Sequence, residues 1–562
     1  GDTLMKRTLI ISLLALTLAI AACTPSVTNP PTDNPIDVQL KEGTYMQQTL
    51  FNPDADIEAK TFANVEELEA FVNAHQSNNN YYGGMMARGM AVEEVAMDSA
   101  IAPTAVKLGD DGGSDYSETN NQVKGVDEGD IIKTDGNYIY TTSQDTLYII
   151  DSYPAQDAQK LSTTLLEKGP ANALFIDDDT LMVMGRVNNN DLFADVDFRP
   201  SNGATYIEIY DTTDKENPTL VKEYIYEGNY LQSRMIDGHA YVITQTYPWM
   251  MPRPLPMYLE DGTLKDMPIE NIRYFPLPYD NVMYTSVHAI DLTGYESESL
   301  TLAVESSVNV YMSEGNLYLA YTKYINEYEL QKELTIETLM PLLPQEDKEL
   351  IAKIKLVDDD VLGQAEKENK IYNVISDYAQ YLPTDEQEEL QDDIEAKLKE
   401  ELEKYEYFEY TIINKVNVDG LDIKASANGK VPGHLNNQFS MDEHEDVLRV
   451  ATTLNARWSS YGNERTESEN LVLTLDKDLK ELDRIDGIAK TESIYSTRFI
   501  GERLYMVTFR QTDPFFVIDL SNPRNIKTLG ELKIPGFSRY LHPYDENTLI
   551  GLGRDATETG RQ

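Results

Sequence analysis

The side chains best placed to do chemistry in this 562-residue chain are carboxylates and six histidines, because there is one cysteine, Cys23. A lone cysteine rules out an intrachain disulfide framework and Cys-based zinc sites. The histidines are His75, His239, His288, His434, His444 and His542, and none has the H-E-x-x-H spacing of a helical zinc protease. Asp127, Glu128, Asp130 and Asp135 crowd one stretch and offer hard oxygen atoms of the kind calcium takes; Asp110, Asp111 and Asp115 form a second such stretch. Neither follows the EF-hand loop, so calcium is the one cofactor these residues suggest, with no reaction attached. The densest cluster is Asp442-Glu443-His444-Glu445-Asp446, which lies between two apolar runs and reads as a solvated hairpin turn. Met85, Met86, Met90 and Met97 could attract a soft metal, but with no His or Cys beside them they read as linker. No G-x-S-x-G elbow or P-loop occurs, and Gly551-Leu552-Gly553 is followed by no helix pattern. The catalytic residues, if any, are unknown from sequence.

Cys23 has a different chemistry. Met5-Lys6-Arg7 precedes an apolar run from Leu9 to Ala22, which closes as Ile20-Ala21-Ala22-Cys23. The run is short for a bilayer span, which needs about 20 residues, and its flanks are those of a secretory signal. The pattern resembles a bacterial lipoprotein signal, in which the cysteine is acylated and becomes the new N-terminus. The alternative is a plain signal with an incidental cysteine. The expectation is an extracytoplasmic protein whose contact with the membrane is its N-terminal lipid at Cys23.

The formal net charge of −49 opposes binding to nucleic acid and to anionic membrane surfaces, and favours basic partners. Hydrophobic residues make up 41% of the chain, enough at this length for a large core or several domains. Tyrosine outnumbers phenylalanine 36 to 14. That suits half-buried strands in which the ring packs and the hydroxyl reaches solvent.

The elements that must position these groups are mostly strands. Residues 1–22 are the signal, and 23–45 are Thr-, Pro- and Asn-rich and read as a disordered tether. Residues 46–120 form a small region and linker. Within it Phe62, Val65, Leu68, Phe71 and Val72 predict one short amphipathic helix starting near Asn64. From 121 a phrase repeats: strand, acidic or Gly turn, strand, loop, strand ending in Asp, turn, outer strand. Ile131–Tyr140 with Leu147–Asp151 is the first case, and Met235-Ile236-Asp237-Gly238-His239-Ala240 with Val287–Asp291 is another. Asp151, Asp211, Asp291 and Asp519 recur at the end of the third strand, where a carboxylate can accept backbone N–H bonds and close the turn. Six such units occur, and a seventh opens at Tyr540. The fold class is therefore mainly β, a β-propeller of four-stranded blades, about seven or eight with the last truncated. Its first part spans 121–325 and its second 408–562, with the strands that complete the ring expected beyond Gln562 or, alternatively, among the residues before 131.

Two insertions interrupt the repeat. Tyr247–Tyr279 is rich in proline and carries Trp249, Arg253 and Tyr258, which form a possible binding loop unless the segment packs onto the blade rim. Residues 326–407 switch to helical period. Ile371, Val374, Ile375, Tyr378 and Leu382 share one face, and Leu390, Ile394, Leu398 and Leu402 another. Thr384 with Gln387 predicts a capping box. Residues 385–404 hold ten acidic and three basic side chains.

The passages Asn121–Gly136, Val431–Glu443, Arg449–Thr453 and Gly551–Ala556 resemble a family of secreted prokaryotic proteins with a β-propeller domain distantly related to WD-40 repeats. The resemblance spans about 121–562. It implies a propeller fold and a secretory leader, but no activity and no catalytic residue. Two functions fit these readings. One is a lipid-anchored interaction or scaffold module with a protein or cell-envelope partner and no nucleic acid. The other is an extracellular enzyme, a hydrolase or a metal- or quinone-assisted oxidoreductase, with its site at the propeller mouth.

Overall fold

The computed structural model describes residues 58–75 and 121–554, apart from 195, 197, 201, 252, 278, 280, 307–308, 326, 358–360, 363, 459–464, 510–512, 535–536 and 546–547. The signal, Cys23, the tether, the methionine cluster and Asp110, Asp111 and Asp115 lie outside the described residues.

Among the described residues, six four-strand antiparallel meanders follow one another. Their first strands are Ile132–Thr134, Ala171–Asp177, Asn229–Ile236, Asn309–Met312, Met441–His444 and Ser493–Ile500. A hairpin, Phe537–Asp545 with Thr548–Arg554, follows the sixth. Local chemistry sets these turns. Asp237 and Gly238 both take positive φ, +47° and +71°, in a two-residue hairpin joining the first two strands of the third sheet. The primed turn this requires tolerates Asp-Gly best. The carboxylates predicted to close turns do so at three positions. Asp211 accepts the Thr213 N–H at 2.8 Å, Asp291 that of Thr293 at 2.8 Å, and Asp519 that of Ser521 at 3.0 Å.

Each core lies between consecutive sheets. Leu147 and Ile149 of the first sheet pack with Leu174 and Val183 of the second. Phe175 and Ile207 of the second pack with Val242 and Ile290 of the third, and the series continues to the sixth. An inner sheet of the series therefore buries both faces, one against its predecessor and one against its successor, which a lone four-stranded sheet cannot do. The tyrosines depart from the half-buried expectation. Tyr140, Tyr206, Tyr224, Tyr226, Tyr241, Tyr284, Tyr311 and Tyr318 are fully buried. Their hydroxyls find partners across sheets and loops, such as Tyr241 on the Gly420 carbonyl and Tyr284 on that of Pro254.

Helix α1, Val65–Ala74, begins where predicted, with Asn64 Oδ1 accepting the Glu67 N–H at 2.9 Å. Its apolar face packs Phe71 against Tyr274 and Tyr279 of the proline-rich insertion. That insertion does not stand free. Its hairpin Met257–Glu260 and Thr263–Asp266 extends the second sheet, and Ile272–Tyr274 pairs with the outer strand of the third. Both additions cover sheet edges that would otherwise offer unpaired backbone groups.

Among the described residues of the second insertion there are four α-helices: α2 (Glu327–Leu339), α3 (Gln345–Leu356), α4 (Gln364–Tyr381) and α5 (Thr384–Leu402). They hang between adjacent strands of the fourth sheet, whose Tyr324 and Glu409 are register partners. The apolar stripes meet each other: Leu390 packs with Ile371 and Ile375, and Leu398 with Leu330 and Tyr405. The capping box does not form. Thr384 is already helical behind Pro383, and Gln387 donates instead to the carbonyls of Gln380 and Leu382, tying α5 to the end of α4. Among the described residues no helix is long and apolar enough to cross a membrane.

Candidate functional site where the first strands converge

Residues 121–131 carry no long element, yet they thread between the first strands of several sheets. Asp127 and Glu128 pair with Met235 and Arg234 of the third sheet. Gly129 N–H donates to the Ser233 carbonyl, and the Asp130 carbonyl accepts the Leu174 N–H at 2.7 Å from the second sheet. Glycine is required at 129 because a Cβ there would stand 2.3 Å from Ser233 Oγ and 2.9 Å from Ala173 Cβ. At the other end Gln122 Nε2 donates to the carbonyls of Gln438 and Met441, at 3.1 and 3.0 Å. These lie in the turn that opens the fifth sheet, itself held by Asn437 Oδ1 accepting the Phe439 N–H at 3.0 Å.

The result is a polar cluster drawn from distant parts of the chain. Gln438 donates from Nε2 to the Glu128 carboxylate and accepts at Oε1 from Arg234 Nη2, at 3.1 Å. Arg234 also holds the Ser233 carbonyl and Gln232 Oε1. Beside it, Lys133 grips both oxygens of Asp127 at 2.7 Å, and Arg449 is paired with Asp442 through Nε at 2.9 Å. The sixth sheet contributes Thr497, which donates to the Phe439 carbonyl, and Arg498, whose guanidinium lies 5.1 Å from the Phe439 ring centroid. Burial pushes the Arg498 guanidinium below its ordinary value. Tyr540, in the hairpin after the sixth sheet, meets the Phe439 ring edge-on. Such a set can recognise a polar or anionic group, since it combines fixed donors with an aromatic wall.

The four carboxylates suggested for calcium are not drawn to one point. Asp127 is taken by Lys133, Glu128 by Gln438, and Asp130 by the Ile131 N–H. Asp135 closes a turn through the N–H groups of Asn137 and Tyr138 and accepts from the Tyr140 hydroxyl. Among the described residues no group of three or more His, Cys, Asp or Glu side chains is arranged to hold a metal. The proposed binding-loop residues separate as well. Trp249 is 38% exposed beside Tyr247, Arg253 pairs with Asp266 at 2.8 Å, and Tyr258 stacks on Tyr226 within the extended second sheet.

The acidic run 442–446 divides. Glu445 and Asp446 form the turn with positive φ. Glu443 instead reaches the fourth sheet, accepting from Ser313 Oγ, from Asn316 Nδ2 at 2.9 Å and from the Tyr318 hydroxyl at 3.0 Å. It is a clamp between two sheets. Two histidines are structural and neutral. Burial lowers His75 to about 4 and His288 to about 3, the latter bonded to Thr244 and Ser299. His434 Nδ1 meets the buried Glu409 carboxylate at 2.8 Å, which Asn455 also holds, so the group joins the fourth and fifth sheets.

Gln122, Arg234, Gln438 and Arg498 were not singled out from sequence. Gln122 and Gln438 lie inside two of the passages that carry the family resemblance, which is the one signal that could have found them; Arg498 has none.

The beta propeller domain family matches residues 116–562. The chain belongs to that family. Its relatives include an uncharacterized protein of Methanocaldococcus jannaschii, 33% identical over 88% of this chain and 73% of that protein. Another is an uncharacterized protein of Archaeoglobus fulgidus, 31% identical over 88% of this chain and 77% of that one. Among solved structures it is similar to a hypothetical selenium-binding protein from Sulfolobus tokodaii, with 9% identity, 74% and 76% of the two chains covered and a TM-score of 0.27. A mutant of Synechocystis apocarotenoid oxygenase also matches, with 9% identity, 77% and 74% covered and a TM-score of 0.26. Scores this low carry no functional argument. In this member of the family, the threaded segment 121–131 and the turn 437–440 are the parts that join sheets far apart in sequence.

Proposed function

We propose that this beta propeller protein is an extracytoplasmic, lipid-anchored interaction module, tethered through Cys23 and binding a basic protein partner through its helical insertion. The observation that carries this reading is the surface of that insertion. Tyr381 is 86% and Val361 76% exposed, and Leu342 and Tyr328 are about half exposed. Exposed aromatic and aliphatic side chains of this kind serve as anchors where a partner covers them. The same subdomain carries exposed carboxylates along α5 at Asp385, Glu386, Glu389 and Asp392. Apolar anchors among exposed carboxylates suit a partner that is apolar at its centre and cationic around it. The test is photo-crosslinking in intact cells of the native host, with a photoreactive residue at position 381 or 389 and, as control, at exposed Leu529 of the sixth sheet. A discrete adduct with a basic protein from 381 or 389 alone supports the reading. No adduct, or the same adducts from 529, overturns it. Loss of fatty-acid labelling in Cys23→Ser tests the anchor separately.

The convergence of Glu128, Arg234, Gln438 and Arg498 favours a second reading, a small-molecule or enzymatic site at the propeller mouth. This reading needs a ligand to bind there. Full-length protein whose cluster binds none of the small anions named below would count against it.

A further inference from the structure

We propose that Arg498 and its neighbours bind a small anion of carboxylate or phosphate chemistry. The inference deepens the second reading above by naming what binds, and needs no reaction at the site. Arg498 is 7% exposed, and among the described residues no hydrogen-bond or ion-pair partner meets its guanidinium. A guanidinium carries five N–H donors and stays charged, so burying it without an acceptor is costly. The nearby carboxylates are already engaged: Asp442 by Arg449, Asp127 by Lys133, and Glu128 by Gln438 and the Gln122 N–H. The cation is therefore a surplus at this point, inside a chain whose net charge is −49.

A small cavity borders the Phe439 ring over which Arg498 lies. It measures about 50 Å³ and is lined by Asn437, Phe439, Ser496, Thr497, Tyr540 and Leu541. Phe439 forms one wall of it, and Tyr540 meets that ring edge-on. Ser496 and Thr497 donate to the carbonyls of Ser538 and Phe439. Asn437 uses its side-chain oxygen on the Phe439 N–H, leaving the amide NH₂ as a donor. Guanidinium and amide are donors that fix a carboxylate or phosphate oxygen, while the Tyr540 hydroxyl already meets His542 Nδ1 at 3.3 Å. The volume admits a few water-sized groups, which suits an anion of four or five heavy atoms and excludes a nucleotide.

The experiment is thermal unfolding of the full-length protein in detergent, titrated with sodium acetate or sodium phosphate at constant ionic strength and neutral pH. One of the two should raise the midpoint in a saturable manner, as mass action on a native-state site requires. The active salt identifies the chemistry. Arg498→Gln should abolish the response, and Arg498→Lys should weaken half-saturation by about tenfold, because an ammonium lacks the planar fork. No response to either salt, or an equal response in Arg498→Gln, overturns the proposal. Should Arg498→Gln not fold, Asn437→Ala decides: weaker half-saturation supports the site, and an unchanged value overturns it. Neither failure bears on crosslinking at the helical insertion.

Discussion

Gln122 and Gln438 stand 316 positions apart in the chain, yet the side-chain amide of the first donates to the main-chain carbonyl of the second at 3.1 Å. The same amide reaches Met441, so one side chain from a segment without regular structure holds the turn that opens the fifth sheet. The threaded segment thus ties the second and third sheets to the fifth, which is not their neighbour in sequence order.

Gly129→Ala should weaken the protein out of proportion to its single methyl group. The added carbon meets Ala173 and Ser233 on two sheets, and overpacking of this kind costs about 1–3 kcal/mol. A lowered urea midpoint checks it; Gly315→Ala, which meets nothing within 4 Å, is the control.

Glu443→Ala should destabilise by about 2–3 kcal/mol, because Asn316 and Tyr318 of the fourth sheet lose a charged acceptor while remaining largely buried. Glu445→Ala, two residues on in the exposed turn, should stay within about 0.5 kcal/mol. Equal effects in chemical denaturation would show that Glu443 is not a clamp.

Acid should act through His288. Its folded value is lowered by burial to about 3, against an ordinary 6.5, so the unfolded chain takes up the proton first. The stability it contributes is complete above pH 6.5 and falls as pH drops from 6.5 toward 3. From pH 6.5 to 5 the wild type should lose roughly 2 kcal/mol more than His288→Gln. Parallel pH profiles for the two proteins would exclude this role.

Replacing residues 326–407 by Asn-Gly should leave the sheets intact. Tyr324 and Glu409 are register partners, and the Ile325 N–H already donates to the Phe408 carbonyl at 2.9 Å. The helical far-UV signal should drop while the β signal and a cooperative melt persist, with a stability change under about 2 kcal/mol. Loss of the cooperative melt would show that the insertion is part of the core.

Much of the β architecture was legible along the chain because hairpins are local. Asp237-Gly238 adopts the positive φ angles that its turn demands, and Asp211, Asp291 and Asp519 close turns within two residues of themselves. Helix α1 starts at the Asn64 cap for the same reason. The capping box at Thr384 failed because Pro383 took the cap position and a carbonyl of the preceding helix competed for Gln387.

The candidate site was far less legible. Asp127, Glu128, Asp130 and Asp135 are close in sequence, and proximity suggested a shared ion; in the structure each is claimed by a different partner. Glu443 looked like one charge in a solvated run, and only its position beside the fourth sheet makes it a clamp.

The sequence by itself determined the mainly β class, the helical insertion, the acidic character and the turn chemistry, because periodicity, composition and short-range hydrogen bonding act over a few residues. The tertiary structure alone decided that Gln122, Glu128, Arg234, Gln438 and Arg498 meet. Their encounter depends on how successive sheets pack face to face, and that packing is set by apolar surface summed over hundreds of residues. No local pattern encodes which first strands will converge.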